Sequence, residues 1–377
     1  MKEIKILYLS TFPPQKCGIA RFCWHLAEAV EKVNPKVYWR VIVPVLKNQR
    51  FKFPKEVFFV FEKENLKKYK EIAQFFNSSS FQILLLQHEF GLFGGESGEY
   101  LISLLENVKK PVISVLHSIP SSQKERHHIL ILKQLSPFFQ RMITMCEIGK
   151  KRLQKICKVP SSKILVIPHG TISFPRISQK EAKKKLALDK NILILVFGFI
   201  TPKKGYEETV FAFSKILPHF PKAKLVFLGG PHPLHPDKNY LQRFRLFVKK
   251  MKLENSVKIF TKFVPLELFK IYYKAADIFI SPHLKKDQIS SGPLTFALGA
   301  GKAIVSTNYD YAKDLLRGKR GILVPIGNVN AMAKAILKIL KEPKLKKELE
   351  KRAFELGRRL SWEKVVVKYL KLFEKVL

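Results

Sequence analysis

Three stretches of this chain place glycine, serine or lysine at the start of a helical pattern directly behind an apolar run. That combination is suited to holding an anion. In the first, Ile6 to Leu9 leads into Ser10-Thr11-Phe12-Pro13-Pro14-Gln15-Lys16-Cys17-Gly18, and Trp24, Leu26, Ala27 and Val30 follow. In the second, Ile192 to Val196 leads into Phe197-Gly198-Phe199-Ile200-Thr201-Pro202-Lys203-Lys204-Gly205, followed by Val210, Phe213 and Ile216. Each reads as a buried strand, a tight loop and an amphipathic helix. Such a loop presents backbone N–H groups at a helix N-terminus, where phosphate can bind. Lys204 can reach a phosphate as a point charge, or it is one more surface lysine in a chain rich in them. In the third, Ile278 to Ser281 is followed by His283, Gln288 and Ser290-Ser291-Gly292-Pro293. Serine and glycine ahead of proline suit its preference for the first helical position, and predict several free N–H groups for a phosphate.

Other polar residues also follow apolar runs. Behind the run 82–86 stands Gln87-His88-Glu89-Phe90-Gly91-Leu92-Phe93-Gly94-Gly95-Glu96-Ser97-Gly98-Glu99. His88, Glu89 and Glu96 are candidates for bonding hydroxyls of a sugar or polyol. Glu99 fits an acid favoured by a helix dipole. Glu89 fits a plain solvated loop poorly, because it follows a buried run. Behind 112–116 stands His117-Ser118. His117 either donates to a ligand hydroxyl or to developing charge, or is a structural histidine satisfied by backbone; position alone leaves both open. No water-activating triad, zinc cluster or Walker lysine motif is readable.

The elements behind these loops follow from periodicity. Strand-like runs recur at 4–9, 37–45, 57–61, 82–86, 112–116, 142–145 and 164–167, and again at 192–197, 224–228, 257–260, 278–281, 303–306 and 321–324, with helical patterns between them. Strands alternating with helices predict α/β domains with parallel sheets. The pattern breaks at Pro168-His169-Gly170, so the boundary is expected near 170–188. The first domain is expected over 1–175 and the second over 188–360. Ser178 with Glu181 three residues on is a capping-box spacing. Ser361-Trp362-Glu363 opens a last helix through Val365, Val366, Tyr369, Leu370 and Phe373.

The 377 residues suit two domains, and 46% hydrophobic residues exclude general disorder. The net charge of +39 predicts anionic partners. Lysines spread over helix surfaces give the plainer account, with Lys183 to Lys185 and Lys346 to Lys347 expected to face solvent. A nucleic-acid-binding protein would need basic residues clustered on one face with interleaved aromatics. The lysines here are scattered, so no nucleic-acid partner is expected. The cysteines, Cys17, Cys23, Cys146 and Cys157, lack metal-ligand spacing and read as reduced thiols of a cytoplasmic protein. The N-terminus has no signal-peptide shape, and the apolar runs fall short of the roughly 20 residues a membrane span needs.

Taken in order, Pro13–Ala20, Gln87-His88-Glu89-Phe90-Gly91, Ile167-Pro168-His169-Gly170, Lys204-Gly205, Ala297–Ser306 and Ser361-Trp362 resemble glycosyltransferase family 4, the group 1 enzymes with the GT-B fold. The resemblance covers nearly the whole chain. It implies two facing Rossmann-like domains with an interdomain cleft, and a last helix (361–377) that crosses back to the first domain. It implies a retaining transferase that needs no metal and moves a hexose, mannose or glucose, from a nucleoside-diphosphate sugar to a saccharide or lipid-linked acceptor. By position, Gly18 would approach the donor phosphate or the acceptor, His117 would bond the transferred sugar, and Lys204 would neutralise the diphosphate. Gln288 stands where the family has a glutamate on the donor sugar and can still serve as a neutral donor and acceptor. Phe296 stands where the family has a ribose-binding glutamate and cannot replace it. Phe199 stands where the family often has an arginine, which would leave Lys204 with no neighbouring cation. The loss of the ribose ligand keeps a rival open, a glycoside phosphorylase using inorganic phosphate. Lipid-linked acceptors of relatives also point to peripheral contact with anionic membrane through Lys47, Arg50, Lys52, Lys67, Lys68 and Lys70, beside Phe51, Phe53 and Tyr69.

Overall fold

The computed structural model describes residues 3–232, 237 and 239–377. The chain divides into two compact units, Met1–Gly170 with Trp362–Leu377, and Thr171–Ser361. In chain order the first unit holds β1 (Ile4–Leu9), α1 (Gly18–Val33), β2 (Val37–Val45), β3 (Val57–Glu62), α2 (Leu66–Ser78), β4 (Ile83–His88), α3 (Tyr100–Leu105), β5 (Val112–Leu116), α4 (Arg126–Leu135), β6 (Arg141–Thr144), α5 (Glu147–Lys155) and β7 (Ile164–Val166). The second holds α6 (Gln179–Lys185), β8 (Ile192–Phe197), α7 (Tyr206–Ser214), β9 (Ala223–Leu228), α8 (Tyr240–Lys250), β10 (Val257–Ile259), α9 (Leu266–Ala275), β11 (Ile278–Ser281), α10 (Gly292–Gly299), β12 (Ala303–Thr307), α11 (Asp310–Leu316), β13 (Ile322–Val324), α12 (Val329–Lys341) and α13 (Pro343–Arg359). The closing helix α14 (Trp362–Val376) returns to the first unit.

Each sheet is parallel and covered on both faces, which is why its central strands are apolar throughout rather than alternating. The first runs β3-β2-β1-β4-β5-β6-β7 and the second β10-β9-β8-β11-β12-β13. Both are Rossmann-like. In each, the strand order reverses once, between β1 and β4 and between β8 and β11. Ligands of such sheets bind beyond the strand C-termini at that reversal. Behind these four strands lie Gly18, Glu89, Lys204 and the 282–292 stretch.

The boundary lies where Thr171 donates its N–H to the Leu360 carbonyl at 2.7 Å and bridges Ser361, which ties residues just past Gly170 to the second unit. At the seam of the first unit, a Cβ on Gly170 would overlap the indole of Trp362. Trp362 and Phe22 meet edge to face at 5.1 Å, and α14 packs along α1. Ser178 caps α6, with both bonds of the capping box to Glu181 present.

The lysine-coat expectation fails at two positions. Lys183 bonds Asp277 at 2.6 Å and Lys346 bonds the same carboxylate at 3.1 Å. Asp277 is buried and also accepts from Gln179 and from the Leu193 N–H, so two lysines are drawn inward to neutralise it. The lysines and the Leu193 N–H hold its carboxyl below the usual range against the effect of burial. Lys302 is likewise internal, donating to the carbonyls of Lys274 and Ala276, and burial lowers its amine to about 7.

Candidate active site

In the second unit the loop after β8 is pressed against the loop after β11. Gly205 caps α7 with φ of 79°, and a Cβ there would overlap the Pro282 carbonyl, so only glycine allows both the turn and the approach. This close contact brings Lys204 beside His283 and Lys285. Burial lowers the Lys204 amine and Lys285 lowers it further, while burial and then Lys204 push His283 well below its ordinary value. Among the described residues Lys204 has no hydrogen bond or ion pair, whereas Lys285 approaches Asp287 at 3.7 Å. The expectation that Phe199 leaves Lys204 without a neighbouring cation is therefore corrected. The missing positive charge is supplied from the 282–288 loop. His283, which follows β11 as His117 follows β5, is neutral there, and the charge is that of Lys285.

The helix α10 offers fewer anion donors than its sequence predicts. Gly292 is its first residue and Pro293 its second, one place later than expected. Proline has no N–H, and the Leu294 N–H is taken by the Ser291 hydroxyl at 3.3 Å. Of the first three positions only Gly292 keeps a free donor. Ser291 is buried and its side chain is committed to the cap. Gln288 turns back on its own loop, donating to the Ser290 carbonyl at 2.9 Å.

In the first unit α1 begins at Gly18 with no side-chain cap and no acid in its first turn. Gly18 is exposed, and a Cβ there would meet nothing within 4 Å, so neither packing nor backbone strain accounts for the glycine. By contrast α7 carries Glu207 and Glu208 in its first turn. Of the three N-termini, α1 is the most open to an anion.

His88 is not in a loop. The strand β4 extends through it, and the ring is fully buried with neither nitrogen bonded. A direct acceptor contact from His88 is thereby corrected to a place in the core. Glu89 is half-buried and accepts the Ser118 hydroxyl at 2.7 Å, which joins the loops after β4 and β5. Glu96 is exposed, while Glu99 binds the Ser97 N–H at 2.8 Å and His127 at 2.7 Å. His117 bonds Gln87 Oε1 through Nε2 at 2.9 Å. With that oxygen as acceptor, Nε2 carries the proton and Nδ1 is the accepting nitrogen. In this tautomer the Nε2 proton of His117 goes to a side chain, Gln87.

His117, His169 and Trp362 all meet Phe22 edge to face, at 4.9, 5.0 and 5.1 Å. Burial lowers His88 to about 4, His117 to about 3 and His169 to about 4, and the first two are lowered further by neighbouring imidazoles. These rings are neutral and can exchange hydrogen bonds but not charge.

Comparison with known proteins matches the second unit to a family. Residues 178–356 match the family model described as glycosyl transferases group 1. The second unit is a group 1 glycosyltransferase domain. The chain is 21% identical over 274 residues to a phosphatidyl-myo-inositol mannosyltransferase of Mycolicibacterium smegmatis, covering 72% of this chain and 67% of that protein. It is 26% identical over 342 residues to an alpha-monoglucosyldiacylglycerol synthase of Streptococcus pneumoniae, covering 83% and 73%. The sucrose-phosphate synthase of Thermosynechococcus elongatus superposes with a TM-score of 0.78 at 17% identity over 99% of both chains. Anabaena HepE in complex with UDP-glucose superposes with 0.77 at 14% identity over 99% of this chain and 100% of that one. The fold is thus the pair of Rossmann-like domains of the GT-B glycosyltransferases.

Within the glycosyltransferase domain the two unusual phenylalanines are both packed. Phe199 meets His232 at 4.6 Å and Phe263 at 5.5 Å. Phe296 meets Phe269 at 5.8 Å and Tyr273 at 6.5 Å, extending an aromatic cluster that includes Phe197. Among the described residues no group of three or more His, Cys, Asp or Glu is placed to hold a metal, and no helix is long and apolar enough to cross a membrane.

Proposed function

We propose that this glycosyltransferase moves a hexose, mannose or glucose, with retention of anomeric configuration, from a nucleoside-diphosphate sugar to a saccharide or lipid-linked acceptor, without a metal. One observation carries the donor assignment: the Lys204 ammonium, half-buried and without a counter-ion among the described residues, beside His283 and Lys285 at the strand reversal of the second unit. A cation held in that way is stabilised by a bound diphosphate. The Gly292 N–H adds a donor, and Gln288 and Ser290 lie on the same loop. The two relatives named for mannosyl- and glucosyl-transfer to lipids support the hexose and the acceptor class.

In this reading the bond from the anomeric carbon to the leaving phosphate oxygen breaks as the acceptor oxygen bonds that carbon. The acceptor proton passes to the leaving phosphate oxygen. The protein contributes position and charge stabilisation rather than a conventional base. Lys204 stabilises the charge that grows on the diphosphate. Gln288 in the second unit and His117 in the first are each candidates for bonding the transferred sugar. Glu89, fixed by Ser118, and the exposed Glu96 serve acceptor hydroxyls, and His88 supports them from the core. Gly18 gives a phosphate or the acceptor access to the bare N-terminus of α1.

A thermal-shift panel of UDP-, GDP- and ADP-sugars, inorganic phosphate and glucose 1-phosphate tests the proposal. Stabilisation by a nucleotide sugar is expected. Stabilisation by phosphate and glucose 1-phosphate alone would replace it with the phosphorylase reading, which the aromatic packing of Phe296 keeps in play.

A further inference from the structure

A cavity of about 880 Å³ lies in the second unit around β10, the terminal strand of its sheet. It is lined by Lys224 and Val226 of β9, by all of β10 with the turn ahead of it, and by Leu186 and Leu188 ahead of β8, and Lys204 is not among its lining residues. Its floor is apolar: Leu186, Leu188, Val226, Leu246, Ile259 and Tyr272. Leu246 is 59% exposed on the outer side of α8. Its charged lining is Lys224, Arg245, Lys249 and Lys258 against a single carboxylate, Glu254.

Among the described residues nothing pairs with the strand edge inside this cavity. Leu225 donates to the Ser256 carbonyl and Phe260 to the Phe227 carbonyl, so Ser256, Lys258 and Phe260 turn their backbone toward β9. Residues between them face the other way. Val257 spends its N–H on the Leu253 carbonyl at 2.8 Å, which leaves the Val257 C=O and the Ile259 N–H and C=O outward. An unpaired edge of this kind is a template for another strand.

We propose that this edge binds an acidic segment of a partner protein in extended conformation, by strand addition to β10. Backbone bonds to Val257 and Ile259 would hold it, and its side chains would alternate between the face of Val226, Tyr272 and Lys258 and the face of α8 with Leu246 and Arg245, so that carboxylates on either face meet a cation. A second copy of this chain is disfavoured as the occupant by its own charge of +39. The concave shape and the row of backbone groups fit a strand better than a bilayer or a nucleic-acid backbone.

Fluorescence anisotropy with a labelled hexapeptide of alternating glutamate and valine tests this. Saturable binding is expected, weakened by roughly tenfold when alternate peptide nitrogens are methylated, since that removes backbone pairing and leaves charge intact. The exposed double substitution Arg245→Glu with Lys258→Glu should weaken it similarly, while the thermal shift given by UDP-glucose stays as in the parent and certifies the fold. Absence of saturation, or equal affinity for the methylated peptide, overturns the proposal without touching the transferase assignment. Displacement of the peptide by phosphatidylserine vesicles or by oligothymidylate at lower concentration than by unlabelled peptide also overturns it, and assigns the surface to lipid or nucleic acid.

Discussion

At Lys204 burial and a neighbouring ammonium act in the same direction, both opposing the charged form. A bound diphosphate reverses that penalty. Lys204→Ala is expected to weaken donor binding by about 1.5–3 kcal/mol, the usual worth of a hydrogen bond to a charged group. Lys285→Ala should cost less, because that side chain is more exposed and already near Asp287. Calorimetry with the stabilising nucleotide sugar checks both, and equal affinities across the parent and the two variants would remove the diphosphate from this loop. Gly18→Ala is the complementary test in the first unit. Its Cβ meets only open space, so stability should hold, and a fall in turnover would mark a ligand passing at that point.

At the scale of elements, α14 is held in the first unit by Trp362, whose ring fills the space that Gly170 leaves open. Trp362→Ala is expected to cost about 3–5 kcal/mol, as for other buried aromatic truncations. Chemical denaturation followed by far-UV circular dichroism reads this directly. The edge strand β3 and the helix α2 raise the question of membrane contact. Phe58, Val60 and Leu66 are exposed there, as are Lys47, Arg50, Lys52, Lys67 and Lys70. Tyr69 does not join them, because it is buried with its hydroxyl on the Lys63 carbonyl, and Lys68 is paired with Glu71. On the proposed lipid-facing reading, co-sedimentation with anionic liposomes should fall with salt. It should drop in Phe58→Ser and in Lys67→Gln with Lys70→Gln, each basic residue being worth about 1 kcal/mol near the surface. Equal binding to neutral liposomes would reject it.

Over the whole molecule, pH acts through the buried imidazoles. His88, His117 and His169 titrate in the folded protein at about 4, 3 and 4. Unfolded, each returns to about 6.5. Below that value the unfolded chain takes up protons that the folded chain refuses, so stability falls as pH drops from about 6.5 toward 4 and levels off below. Each ring contributes at most about 1.4 kcal/mol per pH unit in that window. Depressed carboxyls such as Asp277 act lower, near their ordinary range of about 4, and Lys302, at about 7 in the folded protein, acts above about 6, so measurements between about pH 6 and 5 isolate the buried histidines, His283 included. Unfolding free energies by urea titration that stay flat over that interval would show that these rings are solvated.

By itself the sequence determined the layered architecture, because parallel strands buried on both faces must be written as apolar runs. β1, β2, β5, β8 and β11 begin and end where their runs do. It also determined the cap at Ser178 and the glycines that open the ligand loops, since these depend on local geometry. It did not determine which polar groups remain available. Ser291 looks like a phosphate ligand in sequence, yet its hydroxyl is consumed by the helix it starts. His88 looks like a loop histidine, yet one more pair of residues in β4 buries it. Lys183 and Lys346 look like solvent-facing lysines until Asp277, 94 and 69 residues away, draws them in. Lys204 looks isolated until Gly205 lets the Pro282 carbonyl approach and brings His283 and Lys285 alongside. Secondary structure is set by neighbours in the chain, whereas the charge and hydrogen-bonding state of a side chain is set by neighbours in space. Only the tertiary structure supplies those.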